Sequence, residues 1–412
     1  MRAPAHSPAT WYRWAGAAVS AAVAVAMTGP AVGPSSSAAV APAVIRAPVL
    51  VARGATSDAT ASNNEVKLLR TRDGLVAAYA GDAGGTQVLL AASRDGGGHW
   101  VPLGQASDGP VASRLAALAA DAAGRVHVVW TRYDDGVGKV YYREWAPSAR
   151  GGPAGGWLAP QRRISPEGLY AGYPAVALDR AGRPRVVWYG IRAGPTPAPT
   201  RHGSIYEILS TEYDGRTWSP PVLVSTGVPD SINPALASDF TGRLHAVWYQ
   251  YDGRVYQVRY AAYGAGWGAP EGVSRTPSDE FNPDVAVDAR GGLALVWEQH
   301  EAQASVIDYA RRAGGAWSEP VAVSAAGGRV SVFHPSVASD ASGATWTAWD
   351  SDDGQIYARR YKGGWGPILR LTADGGNTFP GVLSDAGALD VIWTHTGPAG
   401  SSVYFARVTA RP

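Results

Sequence analysis

One pattern of about fifty residues recurs along this chain, and a repeat of that length commits it to an array of small, mutually supporting units. Five copies carry Pro five residues ahead of Asp: Pro174/Asp179, Pro234/Asp239, Pro283/Asp288, Pro335/Asp340 and Pro380/Asp385. A hydrophobic run then ends on Trp188, Trp248, Trp297, Trp349 and Trp393. An earlier copy has Asp121 and Trp130 with Ala116 in place of Pro, and Tyr79 ends the first and most divergent copy. The copies are numbered one to seven below, in chain order.

The fourth repeat shows the plan: Pro234–Asp239, Leu244–Trp248, Val255–Tyr260 and Trp267–Ser274 are short runs rich in Val, Tyr and Trp. Gly-bearing turns separate them, so each copy reads as four antiparallel strands, one blade of a β-propeller. The repeated Asp-turn-Gly, as in Asp179-Arg-Ala-Gly182, suits a turn in which Asp bonds its own backbone and Gly takes positive φ. One Trp per copy at one position implies packing between blades. A second series, Trp100, Trp157, Trp218, Trp267, Trp317 and Trp365, opens the fourth strand, and most copies continue Trp-x-x-Pro-x-x-Val-Ser. The seventh copy stops after Val403–Val408, while Ile45–Val51 supplies the missing element. The expected fold is therefore all-β: a seven-bladed β-propeller of four-stranded antiparallel blades over residues 44–412, its last blade closed by an N-terminal strand that removes a sheet edge.

Residues 1–43 read as a secretory signal peptide and disordered leader. Arg2 and Arg13 precede an apolar run from Ala15 to Met27, too short to span a bilayer, and small residues near Ala38 and Ala43 suit cleavage. A secreted, extracellular protein without a membrane anchor is expected. The chain has no Cys, which excludes disulfides and a lipid-modified Cys, and its formal net charge is +2 with no basic run, so no nucleic-acid partner is expected.

Ser93-Arg-Asp95-Gly-Gly97-Gly-His-Trp100 resembles an Asp-box of the sialidase-like BNR repeat families, and Tyr213-Asp214-Gly215-Arg216-Thr217-Trp218 is a shortened relative. In those families the box is a turn between third and fourth strands, so the resemblance implies architecture rather than chemistry. The chain departs from typical sialidases. It has no Arg-Ile-Pro, Arg163-Ile164-Ser165 being the nearest string, and no arginine triad can be mapped onto it. It is also similar in fold and residue type to seven-bladed polysaccharide lyases acting on uronate-containing glycans with His, Tyr and Arg near the axis, an analogy of fold.

Positions that vary between copies mark where a single asymmetric site would lie. Before the repeated Pro stand Tyr173, Asn233, Asn282, His334 and Phe379; after the strand-ending Trp stand Thr131, Tyr189, Tyr249, Glu298, Asp350 and Thr394. In a propeller these share one face around the axis. Catalytic candidates are His334, Tyr189, Glu298, Asp350 and His202; substrate-binding candidates are Arg192, Tyr249, Tyr173, Asn233, Asn282 and His300. A lyase would use His334 or His202 as base, Arg192 to neutralise a uronate carboxylate, and Tyr189 or Tyr249 as acid. A hydrolase would use Glu298 with Asp350 as its carboxylate pair. His127 and His245 repeat inside second strands and read as structural. His and Asp lack metal-ligand spacing, so neither a metal nor a cofactor is expected. The function expected is cleavage of an extracellular glycan by a monomer at one central site, by lyase or hydrolase chemistry. The alternative is a non-catalytic glycan- or protein-binding propeller.

Overall fold

Val, Ile and Trp crowd the second strand of each repeat because that strand is covered on both faces. Pro184–Gly190 and Thr345–Ser351 are buried along their whole length, and Val126–Asp134 and Leu293–His300 over their first six residues. Continuous apolar runs are the pattern for strands sandwiched between layers. The computed structural model describes residues 44–62, 64–148, 155–192, 206–226, 230–301, 304–324 and 330–409. The leader at 1–43, the stretch Pro195–Pro199 and His202 lie outside them. Among the described residues there is no helix, and the strands form antiparallel sheets, three of four strands, two of five and one of nine.

In each repeat the strands follow chain order, as in Val332–Ser339, Thr345–Ser351, Ile356–Tyr361 and Leu369–Arg370. First strands of successive repeats pack side by side: Leu68–Thr71, Ser113–Ala120, Ala171–Leu178, Ser231–Ser238, Asp279–Val287, Val332–Ser339 and Asn377–Asp385, the last also touching Leu68–Thr71. Val44–Ile45 and Val49–Ala55 pair antiparallel with Gly400–Thr409, so the N-terminal segment completes the sheet of the seventh repeat. The nine-stranded sheet joins this set to the first repeat through the single pair Ala55↔Gly81.

The repeated residues do local and inter-sheet work. Asp179, Asp239, Asp288 and Asp340 each accept backbone N–H groups two and four residues on, closing the turn. The strand-ending Trp residues are almost wholly buried against the preceding repeat; Trp188 lies with Val129 and Tyr142, Trp349 with Val296 and Ile307. The fourth strands are shorter than the sequence pattern suggests, often two residues. Their closing hydroxyls take over: Ser165, Ser225, Ser274, Ser324 and Thr372 accept the N–H of Val140, Ile208, Val258, Ile307 and Ile356. Those donors would otherwise be buried without a partner. His127 and His245 bond Tyr142 and Tyr260 hydroxyls at 2.8 Å inside their own sheets, in keeping with a structural role.

Residues 56–62 and 64–67 do something the repeat pattern does not announce. Asn64 Nδ2 donates to the Pro234 carbonyl, Thr60 Oγ1 to Phe379, and Lys67 Nζ to Ala116, while Leu118 N–H donates to Val66. The segment thus caps first-strand carbonyls of the second, fourth and seventh repeats, groups that a sheet edge leaves open. Lys67 and Glu65, both buried, pair at 2.5 Å within it.

Candidate functional site

The residue before each repeated Pro sits in a left-handed backbone conformation: Tyr173 (φ 53), Asn233 (φ 49), Asn282 (φ 50), His334 (φ 50) and Phe379 (φ 57), with Leu115 (φ 58) at the matching place in the second repeat. Each belongs to a β-bulge, so that two residues face one Trp. His334 and Pro335 lie opposite Trp349, between the pairs Phe333↔Asp350 and Ser336↔Ala348. A bulge re-aims the side chain it carries, and six repetitions make it part of the fold. Left-handed geometry costs a non-glycine residue about 1 kcal/mol or more, least for Asn. What differs between repeats is the side chain displayed.

In the fifth and sixth repeats those side chains converge. His334 Nδ1 lies 2.9 Å from Asp350 Oδ1, and His300 Nε2 lies 3.0 Å from Glu298 Oε2. Each imidazole is thereby held through one ring nitrogen by a carboxylate only 3–4% exposed. Glu298 Oε1 also accepts the His334 backbone N–H at 2.7 Å and the Asn282 amide at 2.9 Å, and Asn282 Oδ1 accepts the Asn233 amide at 2.9 Å. The polar network therefore runs through three repeats. Phe281 meets the His300 ring edge-on at 4.8 Å, Phe333 lies between the two imidazoles, and Phe379 flanks His334 at 4.4 Å.

Burial disfavours charge on His334, Glu298 and Asp350; at Asp350 burial prevails and raises the carboxyl, while at the other two the partners outweigh it. At His334 burial alone would lower the pKa, but the Asp350 and Glu298 carboxylates outweigh it and raise it. At Glu298 burial would raise the pKa, but the His300 hydrogen bond, both imidazoles and the Asn282 amide hold the carboxyl below its usual range. Asp284, two residues after Asn282, accepts Val337 N–H at 2.8 Å and Ser336 Oγ at 3.1 Å, clamping the strand that carries His334. Its burial exceeds the help of those donors and pushes its carboxyl up to about 7.

A raised folded pKa means stability fully present below the unfolded value near 3.9 and lost as pH rises through about 7. Asp284→Asn, neutral throughout, is expected to gain on the wild type between pH 4 and pH 8, by up to about 4 kcal/mol. Urea unfolding at both pH values tests this; parallel stabilities for the two proteins would mean Asp284 does not titrate there.

The remaining candidates gather in the third and fourth repeats. Tyr189 stacks among Tyr170, Tyr173 and Tyr206 at 5.2–5.7 Å, and its hydroxyl accepts from Tyr170 at 3.2 Å. Burial pushes its pKa well above the usual tyrosine value. Tyr249 packs edge-on against Phe281 and Tyr256. Arg192 pairs with the buried Glu207 at 2.7 Å rather than with the histidine cluster. The described contacts bring His334, Asp350, Glu298, His300, Asn282 and Asn233 together; Tyr249 reaches them through Phe281, and Tyr173 and Tyr189 pack with Tyr170 and Tyr206 of the third repeat. The aromatic contributions of Phe281 and Phe333 went unread; the signal is their place just ahead of the varying pre-Pro residue. Among the described residues, no group of three or more His, Asp or Glu is arranged to hold a metal ion.

No protein-family model matches the chain, and no curated protein does. Solved structures are similar at low identity. An ulvan lyase of a polysaccharide lyase family, bound to -[GlcA(1-4)Rha3S]-, has TM-score 0.60 and 12% identity, covering 87% of this chain and 95% of that one. A protein of unknown function from Dyadobacter fermentans DSM 18053 has TM-score 0.51 and 11% identity over 73% of this chain and 95% of its own. A Hadza microbial sialidase has TM-score 0.50 and 16% identity, covering 79% and 74%. At such identities the likeness is one of fold: an all-β, propeller-like architecture that glycan-active proteins also use.

Proposed function

We propose that this chain is a secreted seven-bladed propeller of the Asp-box repeat type that cleaves an extracellular, uronate-containing polysaccharide by elimination, at a site built on His334 and His300. The observation that carries the reading is the pair of imidazoles, each held by its own buried carboxylate, on adjacent repeats. A carboxylate that fixes one ring nitrogen orients the other toward a substrate, the logic of an activated acid or base. The hydrolase alternative needs Glu298 and Asp350 exposed to flank a scissile bond. Both are buried and already engaged by imidazoles, which favours elimination.

In that reaction His334 Nε2 takes the proton α to the uronate carboxylate. The electron pair left on carbon forms the C4–C5 double bond, and the C4–O bond breaks. His300, held beside Glu298, is assigned to give the leaving oxygen a proton from its ring nitrogen. Arg192, held by Glu207, is assigned to an acidic group elsewhere on the glycan. Seven blades are supported by the series of first-strand contacts that returns to Leu68–Thr71, with the Ala55↔Gly81 pair taken as the seam between first and last blades. The Asp-box reading is supported by Ser93 Oγ, which donates to Asp95 and accepts Gly97 N–H, and by the Phe405 ring filling the space a side chain at Gly97 would need. Export is supported by Arg2, Arg13 and the apolar run that follows.

The experiment is mass spectrometry of products from glucuronate-containing polysaccharides, the -[GlcA(1-4)Rha3S]- polymer among them. Unsaturated fragments without added water are expected. Fragments carrying water would return the role to Glu298 and Asp350. Binding without fragments would make the propeller a recognition module, the reading that its rings from Tyr170 to Phe379 favour.

A further inference from the structure

We propose that Asn282 is a positioning residue of this site: its side-chain amide, oriented by Asn233, locks Glu298 in the rotamer from which that carboxylate holds both His300 and His334. The catalytic consequence rests on the elimination reading above; the geometry does not.

The polarity of the amides is forced. An ionised carboxylate only accepts hydrogen bonds, so Asn282 must turn its Nδ2 to Glu298 Oε1, at 2.9 Å. Its Oδ1 then faces the other way and must find a donor, which is Asn233 Nδ2, also at 2.9 Å. Asn233 Oδ1 is left buried with no partner. A buried acceptor without a partner costs about 1–3 kcal/mol.

Placement argues the same way. At the pre-Pro position the other repeats carry Leu115, Tyr173, His334 and Phe379; only the fourth and fifth carry Asn, and these immediately precede the repeat with His334. The left-handed backbone suits Asn and projects its short amide across the bulge. Glu298 is divided between its partners. Oε1 serves Asn282 and the His334 backbone, and Oε2 serves His300. Losing the Asn282 donor frees the carboxylate to rotate away from both imidazoles. The charged groups that face Glu298 are His300 on its own strand and His334 and Asp350 from the next repeat.

The test is an NMR pH titration of the imidazole C–H signals of His300 and His334 in the full chain, for wild type, Asn282→Leu and Asn282→Asp. Leucine weakens the Glu298 anion, so both imidazoles are expected to titrate lower, by about half a pH unit or more. Aspartate adds negative charge of similar shape and should move them the opposite way. On a glucuronate-containing polysaccharide, kcat of the leucine variant should fall about tenfold with KM within about twofold, the mark of an effect on the reacting groups. Imidazoles that titrate as in wild type in both variants, whatever happens to thermal stability, would reduce Asn282 to a structural residue and overturn the proposal. Wild type that turns over no polysaccharide would sink the elimination reading while leaving the titration result to decide the positioning role.

Discussion

His334→Asn is expected to lower kcat on a glucuronate-containing glycan by about a thousandfold, within the range that a positioned acid or base supplies. Asparagine is the informative replacement. It tolerates the left-handed backbone at this position, and its amide can still donate to Asp350, so the network loses its imidazole without losing its shape. The thermal midpoint should therefore move little while turnover collapses. Asp350→Asn should follow with a loss of about a hundredfold or more, because the ring loses its orienting acceptor and the charge that favours proton uptake. Steady-state rates with a matched melting curve check both. Full turnover in His334→Asn would remove His334 from the chemistry.

Lys67→Met is expected to cost about 3–5 kcal/mol of stability, since it leaves the Glu65 carboxylate buried and unpaired. The effect reaches beyond one ion pair, because Lys67 also caps the Ala116 carbonyl at 2.6 Å. Burial already pushes Glu65 up to about 7 with its partner present, so the carboxyl has little tolerance for isolation. The double variant Glu65→Leu with Lys67→Met should recover a large part of the loss, since removing both charges also removes the desolvation cost. Denaturant midpoints of the four proteins form the cycle. A single variant as stable as wild type would mean that Glu65 and Lys67 are not packed as described.

Much of the site could be located in the sequence without its roles being visible. The variation before Pro and after Trp picked out the end of the repeats where His334, Glu298, Asp350, Asn282 and His300 come into contact. Their chemistry depended on burial. Glu298 and Asp350 read as two free carboxylates, and the structure spends both on imidazoles. Asn233 and Asn282 read as substrate contacts, and their amides are engaged with one another and with Glu298. Arg192 read as a neutralising cation, and its nearest charge is Glu207. A sequence lists donors and acceptors but does not say which have already met.

The sequence by itself determined the strand repeat, the Asp turns, the inter-sheet Trp and the pairing of the N-terminal strand with the C-terminal one. These rest on contacts within about four residues or on a side chain recurring at one spacing, and such regularities survive projection onto a line. The tertiary structure alone decided that residues 56–62 and 64–67 cap three repeats and that Glu298 meets His334 across thirty-six positions of chain. Those contacts belong to one place in the molecule, occur once, and depend on which groups are shut away from water. No period encodes them.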